Sequence, residues 1–476
     1  MAFTDMLFIG RFLPLFLIIY YLVPRKYKDA VLFIGSIVFY AYGDAKMCVL
    51  LLGLTVLNYW LGHELLAPRG ITQEVLPTLD SGTLQTIEPP TSITKKSIPR
   101  KAIFIFAVFI DVCVLIFFKV ITYHSTKYVL PLGISFYIFK MISYQADIYT
   151  NRIKIRPTFT KTAVYFTMFP QIAQGPIMRY EDGDFDRPHG RVMSFQKFED
   201  GIVQICIGVA MKVMIADRIG ILWNEVAKIG YENISTPLAW IGAFSYTFQL
   251  YFDFWGYSLI ASGLGMLLGF KSIENFKHPY ASKSIAEFYR RWHATLGTWF
   301  KNYIYFPLGG SRCSKGRTVL NLMIVWALTG LWHGGDINFL IWGLVLGLII
   351  VFEKFVSKDL IAKYPFIGRL HIIILIPLTW VIFAISDLPS LGMYFARLFP
   401  FFGIGKTLVA TDFLEFLPTY LPYFIASIIL CFPQVYEFVY EKRRKPYIVA
   451  LLLILFWISM YYAISSQGNS FMYFSF

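Results

Sequence analysis

The chain has 476 residues, 57% of them hydrophobic and 18% aromatic, but only 15% charged; soluble domains hold about a quarter charged residues, so this balance belongs to a protein dissolved in lipid. The formal net charge of +14 is divided into short basic clusters between apolar runs, the pattern of cytoplasmic anchors and not of a nucleic-acid-binding domain. Five scattered cysteines (Cys48, Cys113, Cys206, Cys313, Cys431) show neither metal-ligand nor disulfide spacing, so no metal site is expected.

In chain order, apolar runs of roughly the 20 residues that cross a ~30 Å hydrocarbon core fall at 6–23, 29–45, 47–66, 102–118, 129–146, 200–216, 237–270, 318–331, 337–352, 370–386, 414–436 and 446–464. The first ends in Pro24-Arg25-Lys26 without a small-residue cleavage site and reads as a retained span, not a signal peptide. The expected fold class is all-α: one polytopic membrane domain over 1–476, with about 11–12 transmembrane helices. Arg25, Lys26 and Lys28, then Lys95, Lys96, Arg100 and Lys101, then Arg152, Lys154 and Arg156, and finally Lys442 to Lys445 all fall on one side if the spans alternate. That side is then the cytoplasm, and both termini lie outside the cell membrane.

Three stretches interrupt the alternation. Residues 67–101 are polar and rich in Pro and Thr, as in a mobile cytoplasmic linker. Residues 161–180 are apolar but short, with Pro170 and Gly175-Pro176 inside, and read as a re-entrant or interfacial segment whose irregular backbone must be covered by protein. Residues 271–317 are basic and aromatic, with Phe288, Trp292, Leu296, Trp299 and Phe300 at helical spacing, as in a helix lying in the cytoplasmic interface. The absence of an internal repeat argues against the inverted-repeat transporters.

Among seven histidines, His63, His124, His189 and His371 fall at span ends or in loops, and His278 sits in an Asn-Phe-Lys-His-Pro-Tyr turn. His333, in Gly330-Leu-Trp-His-Gly-Gly335, is different. A helix starting near Lys315 and Arg317 climbs about 20 Å before the glycines, which places His333 at a break deep in the membrane. An ionisable group there is either a packing hydrogen bond or a functional group. A neutral imidazole can take the proton of an attacking hydroxyl without a metal or a second nucleophile, and no H-E-x-x-H, G-x-S-x-G, phosphate-loop or C-x-x-C motif offers competing chemistry. His293 follows Arg290-Arg291-Trp292, and on this topology lies about 20 Å of helix rise below His333, too far for a hydrogen-bonded pair. Arginine and tryptophan beside it suit an anionic, flat-faced donor such as a nucleotide thioester, or equally anchoring to anionic lipid. Asp253, inside the apolar run 246–257, must face a buried cation or the substrate path.

Together the segments PLGISFYIFKMISYQADIY (131–149), FPQIAQGPIMRYED (169–182), YFDFWGYS (251–258), ENFKHPYASKSIAEFYRRWHATLGTWFKNYIYFPLGG (274–310), ALTGLWHGG (327–335) and the terminal FMYFSF resemble the membrane-bound O-acyltransferase family, in its bacterial alginate O-acetyltransferase branch. The resemblance implies a ring of helices around a central tunnel joining a cytoplasmic donor to an outward-facing acceptor. It places His333 on the family's catalytic histidine and His293 on its second signature position. Arg290, Arg291, Trp292, Trp332, Asn302 and Asp253 then become candidates for the donor site or tunnel. Loop 67–101 is longer and less lysine-rich than the branch leads one to expect, which leaves partner docking open to it.

The resulting expectation is an O-acetyltransferase with no bound cofactor. It would use acetyl-coenzyme A or another acyl thioester from the cytoplasm, and would acylate a cell-surface polysaccharide or pass the group to an extracytoplasmic acetyltransferase or esterase-like partner. A D-alanyl transferase of teichoic acids is the sister alternative, and a polysaccharide or lipid transporter the alternative of another class. Neighbouring lipid, but no nucleic acid, is expected as a partner.

Overall fold

The computed structural model describes residues 3–67, 98–125, 129–185, 191, 193–402 and 409–465. Most of loop 67–101, His189 and the terminal FMYFSF lie outside the described residues. Every regular element among the described residues is helical: α1 (Phe8–Leu22), α2 (Lys28–Leu65), α3 (Arg100–His124), α4 (Ile134–Tyr149), α5 (Phe159–Thr167), α6 (Phe169–Ile172), α7 (Phe195–Ala210), α8 (Asp217–Ile229), α9 (Thr236–Leu267), α10 (Ile285–Arg291), α11 (Ala294–Phe300), α12 (Lys315–His333), α13 (Ile337–Phe352), α14 (Lys358–Lys363), α15 (Pro365–Ala384), α16 (Leu388–Leu398), α17 (Phe413–Leu430), α18 (Pro433–Glu441) and α19 (Pro446–Ser465). Local chemistry explains several starts. Ser194, Ser235, Ser284 and Ser314 each accept a backbone N–H three residues on, satisfying a donor that the first turn leaves open.

Six helical segments among the described residues are long and apolar enough to cross a membrane: Arg25–Leu65, Arg100–His124, Ile337–Lys363, Pro365–Ala384, Phe413–Leu430 and Pro446–Ser465. The other expected runs are helical as well, and two features relate the expected runs to these six. The runs 29–45 and 47–66 form one 38-residue helix, α2, bent at Asp44 (φ −156°, ψ 78°). There the carboxylate accepts the Met47 N–H at 3.2 Å and restarts the helix. Other apolar runs are core helices: α4 is 16 residues long and buried along nearly its whole length, with Lys140, Gln145 and Asp147 inside.

At the centre is α9, 32 residues long and buried from Tyr246 to Leu267 except at Gln249. It lies against α7 because glycines face one another twice. A Cβ on Gly256 would sit 2.6 Å from the Gly208 carbonyl oxygen, and one on Gly263 2.5 Å from that of Gly201. Such small-residue contacts replace the hydrophobic drive that lipid cannot supply between helices. The hairpin α12–α13 repeats the device at Gly330 and Gly343, where a Cβ would approach the Phe339 and Trp326 carbonyls to 2.3 Å.

The segment 161–180 is helical as α5 and α6, then irregular, and buried from Thr162 to Met178; the broken backbone is covered by protein, as its dehydration requires. The segment 271–317 departs from expectation. Instead of one interfacial helix it forms α10 and α11, broken at His293, whose backbone is left-handed (φ 44°, ψ 50°). Its aromatic face turns inward. Trp299 stacks on Phe139 of α4 with ring centroids 4.1 Å apart and donates to the Phe139 carbonyl at 2.9 Å. The Ile177 N–H donates to Thr295 at 3.0 Å, tying the start of α11 to the irregular stretch after α6.

Candidate active site

His333 is the last residue of α12, and the chain leaves the helix through the extended Gly334 before α13 begins at Ile337. Glycine is required here for room: a Cβ at Gly334 would meet the Phe339 ring at 2.3 Å, and one at Gly335 the Tyr123 ring at 2.8 Å. The buried imidazole sits among aromatic edges, with Trp332 at 4.6 Å, Phe383 at 5.0 Å and Trp342 at 5.2 Å between centroids.

His293 is held by Asn275. The Thr295 N–H donates to Asn275 Oδ1 at 3.3 Å, which identifies that atom as the oxygen, and the Asn275 amide nitrogen donates to Ser258 at 3.0 Å. His293 Nδ1 lies 3.0 Å from the same Oδ1, so Nδ1 carries the proton and donates it. Nε2 is thereby left as the acceptor nitrogen of the neutral ring. It is buried and has no hydrogen-bond partner among the described residues.

Both histidines line one cavity of about 1150 Å³. Its wider reaches carry Lys283, Arg290, Lys301, Lys354 and Lys358 against only two carboxylates, Glu287 and Glu353. Each carboxylate is already engaged. Glu353 accepts the Ile285 and Ala286 N–H groups at 2.8 and 2.9 Å, fixing the start of α10, and Glu287 pairs with Arg291 at 2.6 Å. The mouth is therefore an electropositive funnel leading to two imidazoles. A second cavity of about 80 Å³ lies against His333, lined also by Lys119, Trp332 and the start of α4. His333 thus borders both spaces.

This arrangement corrects several expectations. Trp332's ring is 6.5 Å from the His293 ring and 4.6 Å from that of His333, so the expected 20 Å separation does not hold. The cause is the inward turn of α10 and α11, which carries His293 off the interface and into the core. Arg290 and Trp292 line the large cavity and Trp332 the small one. Arg291 turns to Glu287 and to the Lys277 carbonyl instead. Asn302 is not among the residues lining either cavity. Asp253 is also absent from both linings; it is buried in an ion pair with Lys212 at 2.9 Å, and Lys212 pairs with Asp217 as well. A carboxylate in the central helix is neutralised there by a lysine from the turn joining α7 and α8, as desolvation demands. Asn275 lies within the block 274–310 but nothing in that block marks it out, and Glu353 belongs to no motif; only the fold reveals what they hold.

A multi-pass helical membrane protein with two buried imidazoles on one cavity of cationic lining has the parts of an acyl-transfer enzyme. Over residues 140–396 the chain matches MBOAT, the membrane-bound O-acyltransferase family, and it belongs to that family; it is an acyltransferase. It is 34% identical over 420 residues, 84% of this chain and 76% of the relative, to the "Probable alginate O-acetylase AlgI" of Pseudomonas syringae pv. tomato. It is 27% identical to the peptidoglycan O-acetyltransferase of Helicobacter pylori, over 82% of this chain and 78% of that one. A teichoic acid D-alanyltransferase of Bacillus subtilis is 28% identical over 48% of this chain and 60% of its own length.

Proposed function

We propose that this membrane O-acyltransferase takes an acetyl group from a thioester on the cytoplasmic side of the cell membrane and delivers it to a hydroxyl of a cell-surface polysaccharide, or to an extracytoplasmic partner acetyltransferase. The observation that carries the reading is the position of His333 between a large cavity with a cationic mouth and a small one on its other side. Lysines and Arg290 at the mouth suit the phosphates of a donor such as acetyl-coenzyme A. His333 acts as the general base for the acceptor hydroxyl, and His293, its Nδ1–H committed to Asn275, presents Nε2 to the donor end of the cavity. The acetyl reading is preferred to D-alanyl transfer because the O-acetylating relatives align over more than four-fifths of the chain and the D-alanyl relative over less than half.

The test is transfer of label from acetyl-coenzyme A to the envelope polymer in inverted membrane vesicles, with mass analysis of the surface glycan. His333→Ala is expected to remove at least 10²-fold of the activity, the lower range for proton-transfer groups, while the protein inserts normally. Near-wild-type transfer in that variant, or D-alanine in place of acetyl on the polymer, would overturn the proposal.

A further inference from the structure

Lys119 lies near the end of α3, a 25-residue span of high hydropathy, where a charged side chain is expensive and calls for a use. Its ammonium group donates to the carbonyl of Trp332, the residue immediately before His333. It also lines the 80 Å³ cavity together with His333. An ammonium has three N–H donors, and the Trp332 carbonyl takes one. The space they face is small, about 80 Å³ against the 1150 Å³ of the large cavity. Its far wall is the start of α4, where Gly133 is left-handed (φ 65°) and a Cβ would lie 1.7 Å from the Ile172 carbonyl oxygen. The N-terminal turn of this 16-residue helix, Ile134 and Ser135, opens on the same cavity and adds the partial positive charge of its dipole. Two sources of positive potential thus converge beside the imidazole, in one small cavity.

We propose that Lys119 is a further catalytic residue, which stabilises the oxyanion formed on the acyl carbon as the acceptor attacks, with the N-terminus of α4 in support. The inference rests on the acyl-transfer reading of His333. In the step, the acceptor oxygen bonds to the thioester carbonyl carbon and its proton passes to the His333 imidazole. The carbonyl π pair moves onto the oxygen, where a Lys119 N–H receives it. Collapse re-forms the C=O bond, breaks the C–S bond, and returns the proton from the imidazolium to the departing thiolate. The competing role is purely structural: a cation donating to the C-terminal carbonyls of α12 also holds that helix end.

Three variants separate the roles in vesicles given labelled acetyl-coenzyme A. Lys119→Met removes charge and donors at similar volume and is expected to lower kcat by 10²- to 10³-fold, the usual loss for one oxyanion donor, with donor KM within about threefold. Lys119→Gln can still donate to the Trp332 carbonyl but carries no charge, and is expected to stay at least 30-fold down. Lys119→Arg is expected to recover tenfold or more over Lys119→Met. Lys119→Gln working at the wild-type rate, Lys119→Met keeping more than a third of wild-type kcat, or a loss confined to donor KM would each overturn the assignment. Should Lys119→Met fail to accumulate, the Gln and Arg variants decide alone. Failure of the parent reading looks different: wild-type vesicles leave no label on the polymer, or His333→Ala matches wild type. Either result removes both proposals, whereas a Lys119 failure leaves the His333 effect intact.

Discussion

At the scale of single residues, the site is organised by groups that hold other groups. Asn275 accepts from His293, from the Thr295 amide and from the Thr295 hydroxyl, and donates to Ser258. One amide therefore sets the tautomer, orientation and anchoring of an imidazole held in strained left-handed backbone. Asn275→Ala is expected to lower acyl transfer by roughly tenfold or more, toward the effect of His293→Ala, because the freed ring can present Nε2–H instead of a lone pair. Asn275→Asp keeps the acceptor but sets a carboxylate beside the ring, which favours the imidazolium; the acid limb of its pH–rate profile should move to higher pH. An unchanged rate in Asn275→Ala, with the protein folded, would show that the tautomer of His293 is immaterial. His293 and His333 were individually legible in the sequence, one beside a basic pair and one at a glycine break. Their proximity was not, because it depends on where α10 and α11 turn.

At the scale of elements, close approach decides the architecture. The reciprocal glycines of α7 and α9 lie at 201 and 208 on one helix and 256 and 263 on the other. Each helix thus offers a glycine face at a seven-residue interval, two turns of a helix. A methyl group at Gly256 has no space without moving backbone, so Gly256→Ala is expected to destabilise the protein by about 1–3 kcal/mol, the usual penalty of overpacking, read as a lower thermal midpoint in detergent. Gly265→Ala is the control on the same helix, since a Cβ there meets only Phe270 at an ordinary 3.9 Å. Equal midpoints for the two variants would refute the packing argument. The same logic explains why the apolar runs of α4 and α9 are wrapped by other helices: a run of apolar residues reports burial, and protein buries it as well as lipid does.

At the scale of the whole molecule, the proposal requires that the mouth of the large cavity and the far end of α15 face opposite aqueous phases. On the topology expected from the basic clusters, Lys315 at the start of α12 belongs to their side, and Ser386, which follows α15, to the other. With the native cysteines replaced, Lys315→Cys is expected to resist a membrane-impermeant thiol reagent in intact cells and Ser386→Cys to react. Labelling at Lys315→Cys from outside would invert the orientation and place the cationic mouth on the wrong face for a cytoplasmic thioester.

Composition and hydropathy alone determined that the chain is helical and membrane-embedded, because the scarcity of charge and the length of the apolar runs are properties that do not depend on how the helices meet. The motif blocks added the family and singled out His333 and His293, since glycine breaks and buried ionisable groups are local signals. Lys119, one residue past the apolar run 102–118, is drawn into the span only by the length of α3. Tertiary structure alone decided which polar residues meet. It sent Asp253 to Lys212 and Arg291 to Glu287, brought His293 and His333 to one cavity, and set Lys119 against the end of α12. Each outcome depends on long-range packing that brings a charge to its partner, and a linear pattern with a period of one helical turn carries no record of which helix lies across from it.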